Sequence, residues 1–191
     1  CGKGYLTFAA YELLGGDVRG IEARADLVAQ SNRIAQEHHF TGLRFETGRI
    51  AETTLDAVDV LIALHACDTA TDDALAQGIR AGAEVMLVAP CCHKELRPQL
   101  HVLPALRHGI LLQRQAELVT DALRAALLEW AGYETKVFEF ISTEHTAKNL
   151  MLTAVKRGRA GPATAARELA AACGIKHQRL AQHLGFELGP A

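Results

Sequence analysis

Two rhythms of apolar and polar positions alternate along the chain. Val18-Arg19-Gly20-Ile21-Glu22 predicts a short strand, and Ala25 to His38 a helix. Leu43-Arg44-Phe45-Glu46 alternates with the period of a strand. Val58 to Leu64 is a nearly continuous apolar run, as expected of a strand buried on both faces. Thr71 to Ala81 follows as a helix that Gly82 can end, and Glu84 to Ala89 is a second buried strand stopped by Pro90. Leu118, Val119, Ala122, Leu123, Ala126, Leu127 and Trp130 recur at three and four residues, which predicts a helix with a broad apolar stripe. Thr135 to Ser142 and Leu150 to Lys156 read as strands with no helix of ordinary length between them, hence antiparallel neighbours. Gly161 and Pro162 open an alanine-rich helical tail interrupted at Gly174. Strand–helix alternation closing in an antiparallel pair predicts an α/β fold: a doubly wound, mostly parallel, Rossmann-like sheet.

Composition narrows this only a little. The chain has 191 residues, 49% hydrophobic and 22% charged, enough for one domain with a sizeable core and unlike a disordered, collagenous or disulfide-stapled chain. No apolar run approaches the ~18 residues of a membrane span. The five cysteines are odd in number and include the adjacent Cys91 and Cys92, which suits reduced thiols in a cytoplasmic protein better than a disulfide framework. No presequence for secretion opens the chain. The net charge of −2 hides an asymmetry: residues 1–147 hold 13 Lys plus Arg against 20 Asp plus Glu, and residues 148–191 hold 7 against 2. Such a basic end either grips a nucleic acid or another polyanion, or is a solvated helical face.

In an open α/β sheet, ligands bind beyond the carboxyl ends of the strands. Gly2 and Gly4, leading into a helix, allow close approach of a ligand to backbone at a helix start. Glu22 ends the next strand, where a carboxylate can accept hydrogen bonds from both hydroxyls of a ribose, or can simply begin the following helix.

These residues resemble a known family. Cys1-Gly2-Lys3-Gly4-Tyr5-Leu6-Thr7-Phe8 is similar to the second half of motif I of class I S-adenosylmethionine-dependent methyltransferases. The closer likeness is to a "methyltransferase domain" group that pairs a Gly-Lys-Gly-(Tyr/His)-Leu loop with His-Ala-Cys-(Gly/Asp) and Pro-Cys-Cys strand ends. Here these are Gly2 to Leu6, His65-Ala66-Cys67-Asp68 and Pro90-Cys91-Cys92-His93, in that order. The resemblance implies a cofactor-binding methyltransferase domain over residues 1–157 and a basic helical extension over residues 158–191. It also implies a first strand ending in Asp-x-Gly before Cys1, so a central strand is expected from an upstream segment of the same protein. By the same resemblance Gly2, Lys3, Gly4, Tyr5 and Leu6 bind S-adenosylmethionine, Gly2 and Gly4 passing under its methionine part, and Glu22 binds its ribose. Gly48, Arg49 and Ile50 lie where adenine sits, with Arg49 where many such enzymes have Asp. Leu64, His65 and Ala66 line the methionine and base side.

His65, Cys67 and Asp68 end one strand and Cys91, Cys92 and His93 the next, and the family's strand order makes these tips neighbours. Three readings compete for them: buried thiols and a satisfied histidine, a substrate-binding or catalytic cluster, and zinc. The ligand types suit zinc, but adjacent Cys91 and Cys92 lack the usual spacing of two to four residues, so no metal site is predicted. Methyl transfer needs an acceptor aligned with the methyl group and a group that takes the acceptor's proton. Asp68 or His93 could take it, histidine being the better matched to neutral pH. Cys91 or Cys92 as a covalent nucleophile requires a lowered thiol pKa. Ser142 to Asn149 is similar to a His-Thr-x-(Lys/Arg)-Asn segment of the group, which gives His145, Lys148 and Asn149 a substrate-side role or leaves them a plain turn. His38 and His39, at a helix end, are read as non-functional. The expected function is methyl transfer, with RNA as the acceptor class that the basic tail suggests and protein or small-molecule acceptors open. The alternatives are a catalytically inactive binding or scaffolding module of the same fold and a dinucleotide-dependent enzyme. The last wants a third glycine where Thr7 and Phe8 stand.

Overall fold

Among the described residues six strands form two sheets, a parallel pair and a mixed four-stranded sheet. The computed structural model describes residues 1–101, 104–142, 144–146 and 148–189, in two units, Cys1–Thr54 and Leu55–Ala191. Among the described residues no helix is long and apolar enough to cross a membrane.

The first unit runs α1 (Tyr5–Leu14), β1 (Val18–Glu22), α2 (Ala25–Glu37) and β2 (Leu43–Thr47). β1 and β2 pair in parallel, Val18 opposite Leu43 and Glu22 opposite Thr47, so both carboxyl ends emerge at one edge. Val28, Ala35, Leu43 and Phe45 are its buried core, with Phe8, Tyr11 and Phe40 packed against them. Gly20 lies opposite Phe45, and a Cβ there would stand 2.6 Å from the Phe45 ring, so glycine is what lets the ring lie across the strand. Asn32 of α2 fixes β2 with both ends of its carboxamide, donating to the Phe45 carbonyl and accepting from its N–H at 2.8 Å each.

The second unit contains β3 (Val60–Leu64), α3 (Thr69–Arg80), β4 (Val85–Ala89), α4 (Gly109–Trp130), β5 (Tyr133–Glu139), β6 (Leu150–Lys156), α5 (Thr164–Cys173) and α6 (Arg179–Leu184). The sheet order is β3-β4-β6-β5: β3 and β4 are parallel, and β6 runs antiparallel to both its neighbours. The expected antiparallel pair is therefore present, inserted with β6 innermost. Leu75, Met86, Val88, Leu123, Leu127 and Leu152 form the core. Ala166, Ala170, Leu180 and Phe186 of the C-terminal segment belong to the same core, so the alanines of α5 are packing residues as well as helix formers.

Two readings of the apolar pattern change. The Val58 to Leu64 run is not doubly buried: Val60 and Leu64 are 43% and 36% exposed. The reason is position, since β3 is the edge of its sheet and its other side has no strand among the described residues. In α4, Leu118 and Ala122 face solvent, whereas Asp121 and Arg124 are buried beside Val119, Leu123 and Leu127. The helix turns a charged pair inward because that pair has partners there, as follows.

Candidate active site

Gly4 is the N-cap of α1, with φ of +77°, and a Cβ on it would meet the Phe45 ring at 2.8 Å. Both the left-handed backbone and the close approach exclude larger residues. Gly2, also left-handed, donates its N–H to Oε2 of Glu22 at 2.7 Å. The N–H of Arg24 reaches Oε1 at 3.2 Å. Partial burial opposes ionisation of Glu22, but the Gly2 and Arg24 N–H groups outweigh it and hold its pKa below the usual carboxylate range. A permanently charged acceptor thus sits beside the glycine loop. Gly48 donates to the Glu22 carbonyl at 3.0 Å, which places the Gly48–Ile50 loop at the same strand ends. Lys3, Tyr5, Leu6 and Arg49 are exposed there and Ile50 is half-buried. Leu64, His65 and Ala66 belong to the second unit, at the end of β3.

The tips of β3 and β4 are neighbours. Leu64 is in register with Ala89, and His65 donates to the Ala89 carbonyl at 3.0 Å, one residue beyond the strand. His65 and Asp68 hold φ of +57° and +56°, a region that residues with a side chain seldom occupy outside constrained sites. The constraint on Asp68 is visible: its Oδ1 accepts the N–H groups of Lys94 at 2.8 Å and Glu95 at 3.1 Å, clamping the segment after β4 to the segment after β3. Across this clamp, Cys67 and Cys91 place their sulfurs 3.3 Å apart, and Cys92 lies 3.7 Å from each. Burial and the two neighbouring sulfurs push the Cys91 thiol up to about 12, the opposite of the lowering a covalent nucleophile needs.

His93 does not join the thiols. It is buried, and its Nε2 meets Oδ2 of Asp121 on α4 at 2.9 Å. Asp121 also accepts from Nη1 of Arg124 at 3.0 Å. Arg124 donates Nε and Nη2 to Asp72 at 2.9 and 2.5 Å and Nη2 to the Asp68 carbonyl at 2.9 Å. Gln178 of the C-terminal segment completes the chain with a 2.6 Å bond to Asp72. Nδ1 of His93 has no hydrogen-bond partner among the described residues. The His93 ring borders a small pocket with Glu117, Asp121, Lys148 and Asn149. Lys148 is ion-paired with Glu117, and Asn149 donates to the Ile141 carbonyl at 2.8 Å. Partial burial opposes ionisation of Glu117, but Lys148, with Gln113 and Arg114, holds its pKa below the usual carboxylate range. The exposed His145 lies in the preceding turn and is not part of the pocket lining. Thr143 and Ala147 of the same segment lie outside the described residues. Sequence reasoning missed Asp72, Glu117, Asp121 and Arg124; the available signal was a pair of opposite charges three residues apart inside an apolar helix stripe.

Glu95 carries a measurable consequence of this packing. Its burial, and the nearby Asp72, raise its pKa to about 7, and its Oε2 is buried without a partner among the described residues. Between the ordinary value of about 4.3 and about 7, the folded chain keeps a proton that the unfolded chain has lost. Stability from this group is full below the ordinary value and is lost as pH rises through 7. Glu95→Gln is therefore expected to raise stability by about 1–3 kcal/mol at pH 8, a gain that fades below about pH 4.5. Melting temperatures of both proteins across this range test it; a gain independent of pH would show a packing effect instead.

Residues 1–99 match a family model described as "Methyltransferase domain". The chain belongs to this methyltransferase-domain family. Solved structures similar to it include a geranyl diphosphate methyltransferase in complex with SAM, 15% identical with a TM-score of 0.53, covering 82% of this chain and 75% of that one. A Clostridium thermocellum protein described as an rRNA methylase is 13% identical with a TM-score of 0.53, covering 84% of each chain. The [4+2]-cyclase SpnF is 15% identical with a TM-score of 0.52, covering 82% of this chain and 72% of that one. No curated protein matches the chain. These identities establish the fold, and with a cyclase among the neighbours the fold alone does not fix the reaction.

Proposed function

We propose that this methyltransferase domain transfers a methyl group from S-adenosylmethionine. The observation that carries the reading is the Gly2–Gly4 loop with Glu22 ionised against the Gly2 N–H. A carboxylate has about four lone-pair sites, and the Gly2 and Arg24 N–H groups leave room for a ribose hydroxyl. The bound cofactor supplies an electrophilic methyl group. The chain supplies the proton acceptor: with Nε2–H of His93 donated to Asp121, Nδ1 carries the lone pair and is free to take the acceptor's proton. Lys148 and Asn149 line the same small pocket.

Calorimetry with S-adenosylhomocysteine and with NAD tests the cofactor. Binding of the first and not the second is expected. Glu22→Ala removes one or two charge-assisted hydrogen bonds and is expected to weaken the affinity tenfold or more, about 1.5–3 kcal/mol. Unchanged affinity in a folded variant overturns the assignment.

An RNA acceptor is supported by the basic composition of residues 148–191. Against it, Lys148, Lys156, Arg157 and Arg179 already face Glu117, Glu84, Glu134 and Asp73. These pairings weigh against an acceptor held by the tail. The half-exposed apolar β3 edge further supports a strand from another stretch of the same protein as its partner.

A further inference from the structure

We propose that Cys67, Cys91 and Cys92 form a three-thiolate zinc site whose fourth position is open to an exogenous ligand. Tetrahedral zinc with Zn–S bonds of about 2.3 Å sets its sulfurs about 3.8 Å apart. The three sulfurs here are 3.3, 3.7 and 3.7 Å apart, so an ion enters after small side-chain shifts and no movement of the strands.

Spacing along the chain argues against a pair of adjacent ligands because neighbouring residues of a strand point to opposite faces. That objection fails at this place. Cys91 and Cys92 lie past the end of β4, after Pro90, where the backbone is irregular and both side chains turn to Cys67. The two segments that carry the thiols are held from both sides. His65 bonds to Ala89, Asp68 clamps Lys94 and Glu95, the Thr71 hydroxyl donates to Ala66 at 2.5 Å, and buried Arg124 holds the Asp68 carbonyl. The ligands are thus positioned by bonds that involve none of the thiols, as a preformed metal site requires.

Thiolate donors select zinc over magnesium or calcium. All three cysteines are free thiols; Cys67 is exposed and the other two half-buried, so an ion has a path in. Among the described residues no histidine or carboxylate shares the sulfur triangle. The fourth position is therefore open to a ligand from solution, a water or a small thiol, which is the arrangement of reactive rather than closed structural zinc. Binding releases the thiol protons. The site lies wholly in the second unit and does not depend on cofactor binding.

Metal content and cobalt spectra of the reduced full chain test this. About one zinc per chain is expected, and Co2+ should give thiolate-to-metal charge-transfer and tetrahedral ligand-field bands. Added 2-mercaptoethanol should shift those bands by taking the fourth position. Cys67→Ser, Cys91→Ser and Cys92→Ser should each weaken zinc at least tenfold against a competing chelator, with circular dichroism confirming that they fold. Cys173→Ser, in α5, should change nothing. The proposal is overturned if the reduced chain binds neither metal, if the serine variants keep it, or if a Cys67–Cys91 disulfide forms the resting state. Cobalt bands indifferent to added thiol overturn the open position.

Discussion

Arg124→Ala will destabilise the chain by about 3–5 kcal/mol, the largest loss expected of any single replacement here. Arg124 is 1% exposed and bridges Asp72 and Asp121, both buried. Burial works against its charge, but the two carboxylates more than compensate and raise its pKa above the ordinary value. Removing it leaves two buried carboxylates with no cation and the Asp68 carbonyl without its donor. The same bonds join α3, α4 and, through Gln178, the C-terminal segment, so one substitution loosens three elements. Because each stranded carboxylate can escape by taking a proton, the loss should shrink towards acid pH. Urea unfolding at pH 7.5 and pH 5, with the slope checked for two-state behaviour, measures it. A loss below 1 kcal/mol at pH 7.5 would mean that the network does not hold the unit together.

Much of this architecture was legible in the pattern of residues. Val18–Glu22 and Leu150–Lys156 form strands with the expected bounds, and the α2, α3 and β4 segments shift by two residues or fewer, because periodicity and glycine or proline stops act locally. The adjacency of the β3 and β4 tips followed from family strand order and is present in the register of Leu64 with Ala89. What could not be read were properties that depend on a partner. The β3 run has the composition of a central strand, yet its exposure is set by what lies beside it. Asp121 and Arg124 look like surface residues of an amphipathic helix until Asp72 and His93, 52 and 28 positions away, are seen to meet them. Cys91 and Cys92 fail a spacing rule made for regular backbone and converge because their backbone is not regular.

Asp121→Asn will lower the rate of methyl transfer about 10²–10⁴-fold while leaving cofactor affinity nearly unchanged. The carboxylate accepts from His93 Nε2 at 2.9 Å through Oδ2 and from Arg124 through Oδ1. An asparagine can keep its carbonyl towards Arg124, but its NH2 then faces Nε2 and can only donate to it. The imidazole must respond by moving its proton to Nδ1, the one ring nitrogen free to receive a proton from the acceptor. Geometry survives and the base is lost, so kcat should fall while the KM for S-adenosylmethionine, which the proposed function ties to Glu22 and the glycine loop, stays near the wild-type value. His93→Gln should match the Asp121→Asn loss without adding to it in the double variant, because the two side chains act as one unit. If His93 and Asp121 serve only to secure the core, the variants will unfold more easily and the rate per folded molecule will hold. That outcome, or independent additive losses, removes His93 from the chemistry and leaves the pocket without its proton acceptor.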